Sequence, residues 1–331
     1  MTQTSLDVLA IGNAIVDVIA RTDDEFLKAE RLIKGTMRLI DAEEAHRLYE
    51  RMPAGVETSG GSAANTVAGL AALGLRTGFV GQVAKDQLGE VFGHDIRAQG
   101  VDFTTPPRSD GVPTARCLIL VTSDAQRTMN TFLGASQYLP ASALDEAQIE
   151  ASAILYLEGY LWDPAEPRAA MERAIRIARN AGRKVALTLS DPFCVDRHRE
   201  GFCALIETGV IDILFANEIE IKSLAQMDAL EPAVAAFSDR VPLLVVTRSE
   251  RGALAIRGDE RVDVPAEPIA EVVDTTGAGD QFAAGFLAGQ AQGRSLQDSL
   301  RMGAIAAAEV IAHYGPRPEA DLKAIIAERL G

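Results

Sequence analysis

The stretch that decides the fold is DTTGAGDQFAAGFLAG, residues 274–289. Three small residues, Gly277, Ala278 and Gly279, permit a tight turn directly before an apolar run. Backbone N–H groups at a helix start point outward and, together with the helix dipole, favour a bound phosphate. Asp280 lies beside this turn, where a carboxylate suits a general base that takes a proton from an attacking hydroxyl. Asp280 could equally cap a helix, and these residues alone leave both interpretations open.

The composition is that of an ordinary enzyme. The chain has 331 residues, of which 47% are hydrophobic, enough for a sizeable core. Lys and Arg number 32 against 47 for Asp and Glu, and the net charge of −15 argues against nucleic acid or an anionic membrane as a partner. No stretch approaches the roughly 20 apolar residues of a membrane span, so we expect a cytoplasmic protein. The three cysteines are scattered, which predicts neither a disulfide framework nor a zinc site.

Short apolar runs alternate with helical segments along most of the chain. The first run, residues 6–11, ends at Gly12-Asn13, and further strand candidates are 77–83, 153–157, 184–189, 211–215 and 243–247. Strands that alternate with helices predict an α/β fold with a doubly wound, mostly parallel sheet. Polar residues follow most of these strands, and ligands bind at the carboxyl ends of such sheets. We therefore predict one cleft along these ends.

Several polar residues mark the substrate side of this cleft. Asp17 is the single charge in an apolar segment, so it needs a partner or a ligand. A helix opens after Gly60 and Gly61, which permit close approach to the backbone, and Asn65 one turn later can offer a donor and an acceptor to a diol. Asn13, at the end of the first strand, is a further candidate contact. Backbone amides that satisfy Asp17 and simple packing of small residues are the alternatives.

Asn217 and Glu220 have a spacing that places both on one side of a helix start. A carboxylate and an amide there can hold water around Mg²⁺. The same pair is also a common capping pattern, and the residues alone favour capping. The chain contains neither GxGxxG nor GxxxxGK[ST], so a dinucleotide fingerprint and a Walker-type loop are absent from the sequence.

Two stretches interrupt the rhythm of strands and helices, at about residues 14–56 and 103–135. The first contains two short amphipathic helices in the charged region 23–52, and the second contains two β segments with Arg127 at the turn between them. We expect them to form a smaller, mainly β lid on a single unit of residues 1–331, although a solvated surface excursion is the alternative. Arg127 could fold over a transferring phosphate or remain solvated. Such a lid is compatible with a monomer or a homodimer.

Four segments resemble the signatures of the ribokinase-like (PfkB) family of carbohydrate and nucleoside kinases. They are GGSAANTVAGLAALG at 60–74, GFVGQVAKDQLGEVF at 78–92, FANEIE at 215–220 and DTTGAGDQFAAGFLAG at 274–289. The resemblance covers nearly the whole chain. It implies a large α/β domain with a smaller β lid, the use of ATP and Mg²⁺, and transfer of the ATP γ-phosphate to a primary hydroxyl of a small molecule.

The resemblance also implies roles for individual residues. Asp280 matches the general base of the family, the amides of 277–279 match its anion hole, and Arg127 with Mg²⁺ would offset the charge of the phosphate. The acceptor would be held by Asn13, Asp17, Gly60, Gly61 and Asn65; the nucleotide by Asn217, Thr247, Gly252, Thr275, Gly277 and Gly279; Mg²⁺ by Glu220 through water; and a monovalent cation such as K⁺ by Asp274 and Thr276. Ser249 stands where a Gly is usual, which puts the contact of that loop with ATP in doubt.

Further segments resemble those of adenosine kinases within this family, among them IGNAIVDVIA at 11–20, the insertion at 23–52 and LTLSDPF at 187–193. A nucleobase needs an apolar slot. Candidates are Ile15, residues 37–40, Cys117, Phe132 and the cluster of Tyr160, Leu161 and Trp162, although core packing explains that cluster as well. The 5′-hydroxyl of adenosine, giving AMP and ADP, is therefore our first choice of acceptor, and a sugar such as ribose or fructose is the second. The intact Asp280 and its glycines disfavour a non-catalytic regulatory protein, and the missing fingerprint disfavours a dinucleotide-dependent oxidoreductase.

Overall fold

A central sheet of nine strands organises the structure, a computed structural model that describes residues 4–124 and 126–331. In their order across the sheet, the strands are β14 (Glu260–Val264), β13 (Ala253–Arg257), β12 (Leu243–Thr247), β11 (Ile213–Asn217), β10 (Lys184–Thr188), β9 (Ser152–Glu158), β1 (Leu6–Ile11), β5 (Thr77–Val80) and β6 (Val101–Phe103). Neighbouring strands from β12 to β6 are parallel, whereas β13 and β14 are antiparallel additions at one edge. The predicted doubly wound, mostly parallel sheet is confirmed.

Helices cover both faces of this sheet, because its strands are apolar on both sides. Along β1, Val8 and Ala10 pack on one side and Leu9 and Ile11 on the other, since successive side chains of a strand alternate. The helices on the first side are α3 (Ser62–Ala72), α4 (Gln87–Ala98), α10 (Ala278–Ala291), α11 (Leu296–Val310) and α12 (Leu322–Leu330). Those on the second side are α5 (Glu146–Glu150), α6 (Ala165–Asn180), α7 (Pro192–Glu207), α8 (Glu218–Ala225) and α9 (Leu230–Ser238).

A second sheet of five strands is built from two separate stretches of the chain. Across it lie β3 (Met37–Leu39), β8 (Arg127–Phe132), β7 (Ala115–Val121), β2 (Ile15–Arg21) and β4 (Val56–Gly60). Two helices, α1 (Asp24–Ala29) and α2 (Ala42–Arg51), cover one face, where Leu27 and Leu48 share a buried cluster with Val18 and Leu120. The opposite face carries a separate small cluster around Ile119.

The expected position of Arg127 is wrong in one respect. Arg127 is the first residue of β8 rather than part of the preceding turn, and its side chain is only 8% exposed because it pairs with Asp274. The solvated alternative is therefore also excluded. Ala125 lies outside the described residues. None of the helices in the described part of the chain is both long enough and apolar enough to cross a lipid bilayer.

Candidate active site

The candidate active site lies where the starts of α3 and α10 meet. Ser62 Oγ donates a hydrogen bond of 2.6 Å to one carboxylate oxygen of Asp280, and Asn65 Nδ2 donates one of 3.2 Å to the other. The helices can approach because Gly69 faces α10, where an added Cβ atom would lie 2.9 Å from Cβ of Ala284. Asp280 is the third residue of α10 and contacts α3, so it does not serve as the helix cap.

The turn before α10 leaves the start of the helix open. Gly277 is the N-cap residue with φ of 77°, and no side chain of the described residues caps the helix. A Cβ atom at Gly277 would lie 2.6 Å from Cα of Pro316, so only glycine fits this turn. Gly279 has open space around it. An anion can therefore approach the first-turn amides, which the helix dipole makes favourable.

The environment of Asp280 makes its carboxylate a moderately strong base. Burial raises the pKa of Asp280 to about 6, against the hydrogen bonds from Ser62 and Asn65 and the charge of Arg317, which lower it. Such a carboxyl group is largely ionised at neutral pH and accepts a proton more readily than an ordinary aspartate.

Asp17 is a buried carboxylate without a hydrogen-bonding partner among the described residues. Its side chain is packed against Gly60, where an added Cβ atom would lie 2.3 Å from Asp17 Oδ2, and the residue is 8% exposed. Burial raises the pKa of Asp17 to about 7, and the charges of Arg317 and Arg127 oppose the rise. Gly61 has φ of 103° and passes close to the carbonyl of Asn13. The structure brings Asp17 and Gly60 together, with Gly61 next in the chain, and a buried carboxylate of this kind calls for a ligand. Their contact with an acceptor stays a prediction.

The side chain of Asn13 is engaged by a carboxyl group to which the sequence reasoning gave no role. Asn13 Nδ2 donates to Glu158 Oε1 at 2.6 Å, and the amide of Ala63 donates to Glu158 Oε2 at 2.9 Å. Burial raises the pKa of Glu158 to about 7. Glu158 therefore joins the end of β1 to the start of α3. Its position as a polar residue at the end of β9 was the signal that could have identified it.

Arg317 is a second site residue that the sequence reasoning missed. It lies between α11 and α12, where Nε donates to Asn65 Oδ1 at 3.3 Å and Nη1 donates to Asp95 Oδ2 at 3.1 Å. Its side chain is 11% exposed, and burial lowers the pKa of its guanidinium. A single arginine between two prolines resembles an ordinary surface turn, and nothing in its spacing indicates a partner in α3.

Asn217 and Glu220 form the capping arrangement that the residues alone favoured. The amide and Nδ2 of Asn217 donate to the two oxygens of Glu220 at 2.8 and 2.7 Å, and the amide of Glu220 donates to Asn217 Oδ1 at 2.9 Å. Burial raises the pKa of Glu220 to about 7, and the negative charge of Asp191 adds to the rise. Within residues 4–124 and 126–331, no group of three or more His, Cys, Asp or Glu side chains is placed to hold a metal ion. Mg²⁺ binds through few protein ligands and many waters, so these contacts do not test the metal role of Glu220, which stays a prediction.

Thr247 and Gly252 lie beside this capped helix. Thr247 is paired with Asn217 in the central sheet, and Gly252 has φ of 82° with no room for a side chain. Ser249 has φ of 53°, a left-handed conformation that a non-glycine residue rarely adopts. The loop thus keeps a backbone that glycine would adopt without strain, although a serine occupies the position.

The side chains predicted to hold a monovalent cation are engaged with Arg127. Arg127 Nη2 lies 2.5 Å from Asp274 Oδ2, and Nη1 donates to Thr276 Oγ1 at 3.2 Å. The amides of Thr276 and Gly315 donate to the two oxygens of Asp274 at 3.0 and 3.1 Å. A monovalent cation at Asp274 would compete with the guanidinium of Arg127. The predicted contact of Arg127 with a phosphate is not seen, because Arg127 faces the carboxylate of Asp274. Thr275 is exposed between them.

The structure does not support the predicted contact of Leu161 with a nucleobase. Leu161 has no exposed surface and belongs to the buried cluster on the α6 and α7 side of the sheet. Tyr160 is partly buried, and its hydroxyl donates to the carbonyl of Ser190 at 3.3 Å. A short 3-10 turn at Gly159–Trp162 directs Leu161 and Trp162 into the core, which is the alternative that the sequence left open.

A doubly wound sheet with a carboxylate beside an open helix start defines a phosphotransferase that acts on an alcohol group. The chain belongs to the family described as pfkB family carbohydrate kinase, which it matches over residues 6–322. Membership implies the use of ATP and a divalent metal ion, and a small-molecule acceptor.

Similar proteins include nucleoside and sugar kinases. The crystal structure of adenosine kinase from Sinorhizobium meliloti has a TM-score of 0.91 and 49% identity, over 99% of this chain and 100% of that chain. The crystal structure of a probable sugar kinase protein from Rhizobium etli CFN 42 has a TM-score of 0.91 and 48% identity, over 99% of each chain. Adenosine kinase of Saccharomyces cerevisiae is 26% identical over an alignment of 332 positions, which covers 93% of this chain and 96% of that protein.

Proposed function

We propose that the protein transfers the γ-phosphate of ATP to the 5′-hydroxyl of adenosine, forming AMP and ADP. The observation that carries the proposal is the pairing of two carboxylates. Asp280 is held at the start of α10 by Ser62 and Asn65. Asp17 has no hydrogen-bonding partner among the described residues, and the negative charge of Asp280 helps to raise its pKa. One carboxylate can accept a proton while the other binds hydroxyl groups.

The chemical step is an in-line displacement at phosphorus. Asp280 accepts the hydroxyl proton as the new O–P bond forms, and the bond between the γ-phosphorus and the ADP oxygen breaks. The first-turn amides of α10, at 277–279, stabilise the charge on the transferring group. Mg²⁺, held through water by Glu220, would supply positive charge to the phosphates when bound. Asn217, Thr247 and Gly252 line the nucleotide side of the cleft in this proposal.

One face of the smaller sheet supports an apolar acceptor. The strand register sets Cys117, Thr131 and Leu39 side by side with Asp17. The next row on the same face consists of Ile19, Ile119, Met129 and Met37. These rows share a face because residues two apart in a strand point the same way. We call these two rows of residues the apolar floor, and the floor adjoins the carboxylate of Asp17.

The exposure of this floor favours a nucleoside over a free sugar. Leu39 and Met37 are 63% and 55% exposed, although both are large and apolar. A purine base lying on the floor would cover such side chains while its ribose hydroxyls reach Asp17. A free sugar would reach Asp17 and leave them in water. We propose that stretches 14–56 and 103–135 act as a lid that brings this floor over the acceptor and excludes water.

A sugar kinase remains the second candidate, because a similar structure of equal TM-score is a probable sugar kinase. Asp17, Gly61, Asn65 and Asp280 would hold a sugar hydroxyl in the same way. The two functions differ in whether the apolar floor contributes to acceptor binding.

The test is ADP release from Mg·ATP with adenosine, guanosine, inosine, ribose and fructose in parallel, with Asp280→Asn as the inactive control. Fast turnover on adenosine with none on the sugars is the expected result. Turnover on a sugar and none on any nucleoside would show that the acceptor is a sugar, and it would leave the proposed chemical step unchanged. Turnover by Asp280→Asn at the wild-type rate would remove the base assignment.

A further inference from the structure

Arg317 is a buried arginine that the proposed chemical step does not use. Its guanidinium contacts α3 through Asn65 and α4 through Asp95. Asp95 is itself fixed, because it accepts hydrogen bonds from the amide and the hydroxyl of Ser59 at 2.9 and 2.5 Å. Nη2 has no partner among the described residues. Arg317 is thus held firmly in place and has a donor left over.

The contact with Arg317 decides which way the amide of Asn65 points. A side-chain amide has one oxygen that accepts and one nitrogen that donates. Since Arg317 Nε donates to the oxygen, the nitrogen faces Asp280, which it reaches at 3.2 Å. In the opposite orientation the oxygen would face the carboxylate and the nitrogen would face the guanidinium, and both contacts would be unfavourable. Arg317 therefore orients one of the two side chains that hold Asp280.

Arg317 also supplies positive charge to a site rich in carboxylates. The polar and titratable groups around Asp280 are Asp17 on β2, Tyr156 and Glu158 on β9, Tyr160 in the 3-10 turn after β9, Ser62 and Asn65 on α3, and Arg317 before α12. Arg317 is the cation of this set, because Arg127 is paired with Asp274. Its charge lowers the pKa of both Asp17 and Asp280 and so opposes the effect of burial.

The backbone around Arg317 is tied to the same two helices. Gln281 Nε2 donates to the carbonyls of Asn65 and Pro316, each at 3.0 Å. Pro316 and Pro318 restrict the chain on either side of Arg317. One glutamine of α10 thus fixes the arginine and the asparagine relative to each other.

We infer that Arg317 is a positioning residue for phosphoryl transfer, which orients Asn65 toward Asp280 and places a positive charge beside the carboxylate that accepts the proton. The inference rests on the proposed role of Asp280. Arg317 need not touch either substrate, since it acts through Asn65 and through its charge.

The experiment compares Arg317→Gln and Arg317→Lys over a pH series, with kcat and the acceptor KM measured separately. Arg317→Gln removes the charge, so the acidic limb of kcat should move to higher pH, and kcat at pH 7 should fall by about ten- to a hundredfold. Arg317→Lys keeps the charge, but one ammonium group cannot replace the fork that reaches Asn65 and Asp95. The acidic limb of kcat for Arg317→Lys should therefore lie at the wild-type pH, and its kcat should lie between those of Arg317→Gln and the wild type. Arg76→Gln, which breaks an exposed ion pair with Asp7, is the matched control with an unchanged profile.

A lower kcat with the acidic limb of Arg317→Gln at the wild-type pH would overturn the inference, because a merely structural role predicts that result. If Arg317→Gln does not fold, the double variant Arg317→Lys with Asn65→Ala decides. A loss no greater than that of Asn65→Ala alone supports action through Asn65, and additive losses contradict it. Asp280→Asn is measured beside them: full turnover would refute the proposed base, whereas lost turnover with an unshifted Arg317→Gln profile would refute only the role of Arg317.

Discussion

The hydroxyl of Ser62 donates a hydrogen bond of 2.6 Å to a carboxylate oxygen of Asp280, although the two residues are 218 positions apart in the chain. The contact joins the first turns of α3 and α10, so the residues proposed to bind the acceptor and those proposed to bind phosphate form one rigid unit. Both turns begin at a glycine with positive φ, Gly61 and Gly277, and neither glycine can supply a side-chain cap. In α3 the amide of Ala63 donates to Glu158, so of these two helix starts the one of α10 is left open to the cleft.

Replacing Asp280 with Asn should abolish most turnover and leave the fold intact. Asn can still accept the hydrogen bond from Ser62, but it cannot take a proton, so kcat should fall by about 10² to 10⁴. ADP release measured with saturating ATP and acceptor checks this. Asp228→Asn, at an exposed position between α8 and α9, should behave as wild type.

Replacing Asp17 with Asn should weaken acceptor binding more than turnover. The carboxylate has no partner among the described residues, so its loss removes hydrogen bonds to the ligand without leaving a protein group unpaired. We expect the acceptor KM to rise at least tenfold while the KM for ATP stays constant. An unchanged acceptor KM would take Asp17 out of the acceptor site.

Glu158→Gln should become more stable relative to the wild type as the pH rises. Burial raises the pKa of Glu158 from 4.5 in the unfolded chain to about 7, so the folded state binds the extra proton between these values and the stability of the wild type declines as pH rises through this window. The variant lacks this loss, which amounts to about 3 kcal/mol once the group is ionised. Urea unfolding at pH 5 and pH 8 measures it, with Glu90→Gln on the exposed side of α4 as the control. Equal differences at both pH values would contradict the raised pKa.

Glu220→Gln separates the capping role of Glu220 from a metal role. Gln at this position preserves the capping box, so at pH 5, where the raised pKa keeps Glu220 of the folded protein protonated, the free energy of unfolding should change by less than about 0.5 kcal/mol. Asn217→Ala removes the cap and should cost about 1 kcal/mol. If Glu220 holds hydrated Mg²⁺, Glu220→Gln should require several-fold more Mg²⁺ for half-maximal rate. The same Mg²⁺ dependence as wild type would leave Glu220 with capping alone.

Leu39→Glu should raise the KM for a nucleoside and leave stability unchanged. The side chain of Leu39 is 63% exposed and lies in the same row of the sheet as Asp17. A charge at this position would therefore face the nucleobase of a bound nucleoside and not the protein core. We expect a KM increase of about tenfold, since losing an apolar contact costs roughly 1 to 3 kcal/mol. Met227→Glu, at an exposed apolar residue elsewhere, should have no effect. An unaffected KM for Leu39→Glu would favour the sugar acceptor.

Much of the site could be predicted because its central residues follow short local patterns. The glycines before α3 and α10, the polar residues after strands and the pairing of Asn217 with Glu220 all act within one turn of chain, where spacing is informative. Asp17 could be recognised because a lone charge in an apolar strand needs compensation.

The remainder depended on contacts between distant segments. Arg317 reaches Asp95 across 222 positions, and no local pattern announces such a contact. Leu161 was a candidate for an apolar nucleobase slot because it belongs to an apolar and aromatic cluster, but such a cluster can equally pack in the core, and the 3-10 turn directs Leu161 there. The ion pair of Arg127 with Asp274 likewise joins two distant segments. The sequence had suggested a phosphate as the partner of Arg127 and a monovalent cation as the partner of Asp274.

The attachment of the segment around Arg317 to α3 and α10 has a consequence for synthesis. A ribosome makes the chain from the amino end, so a nascent chain that has reached α10 already contains Asp17, Ser62, Asn65 and Asp280 but not yet their counter-charge. Until Arg317 emerges, these carboxylates repel each other and Asn65 is free to rotate. With the role inferred for Arg317, the complete site can form only after this late segment of the chain has been made.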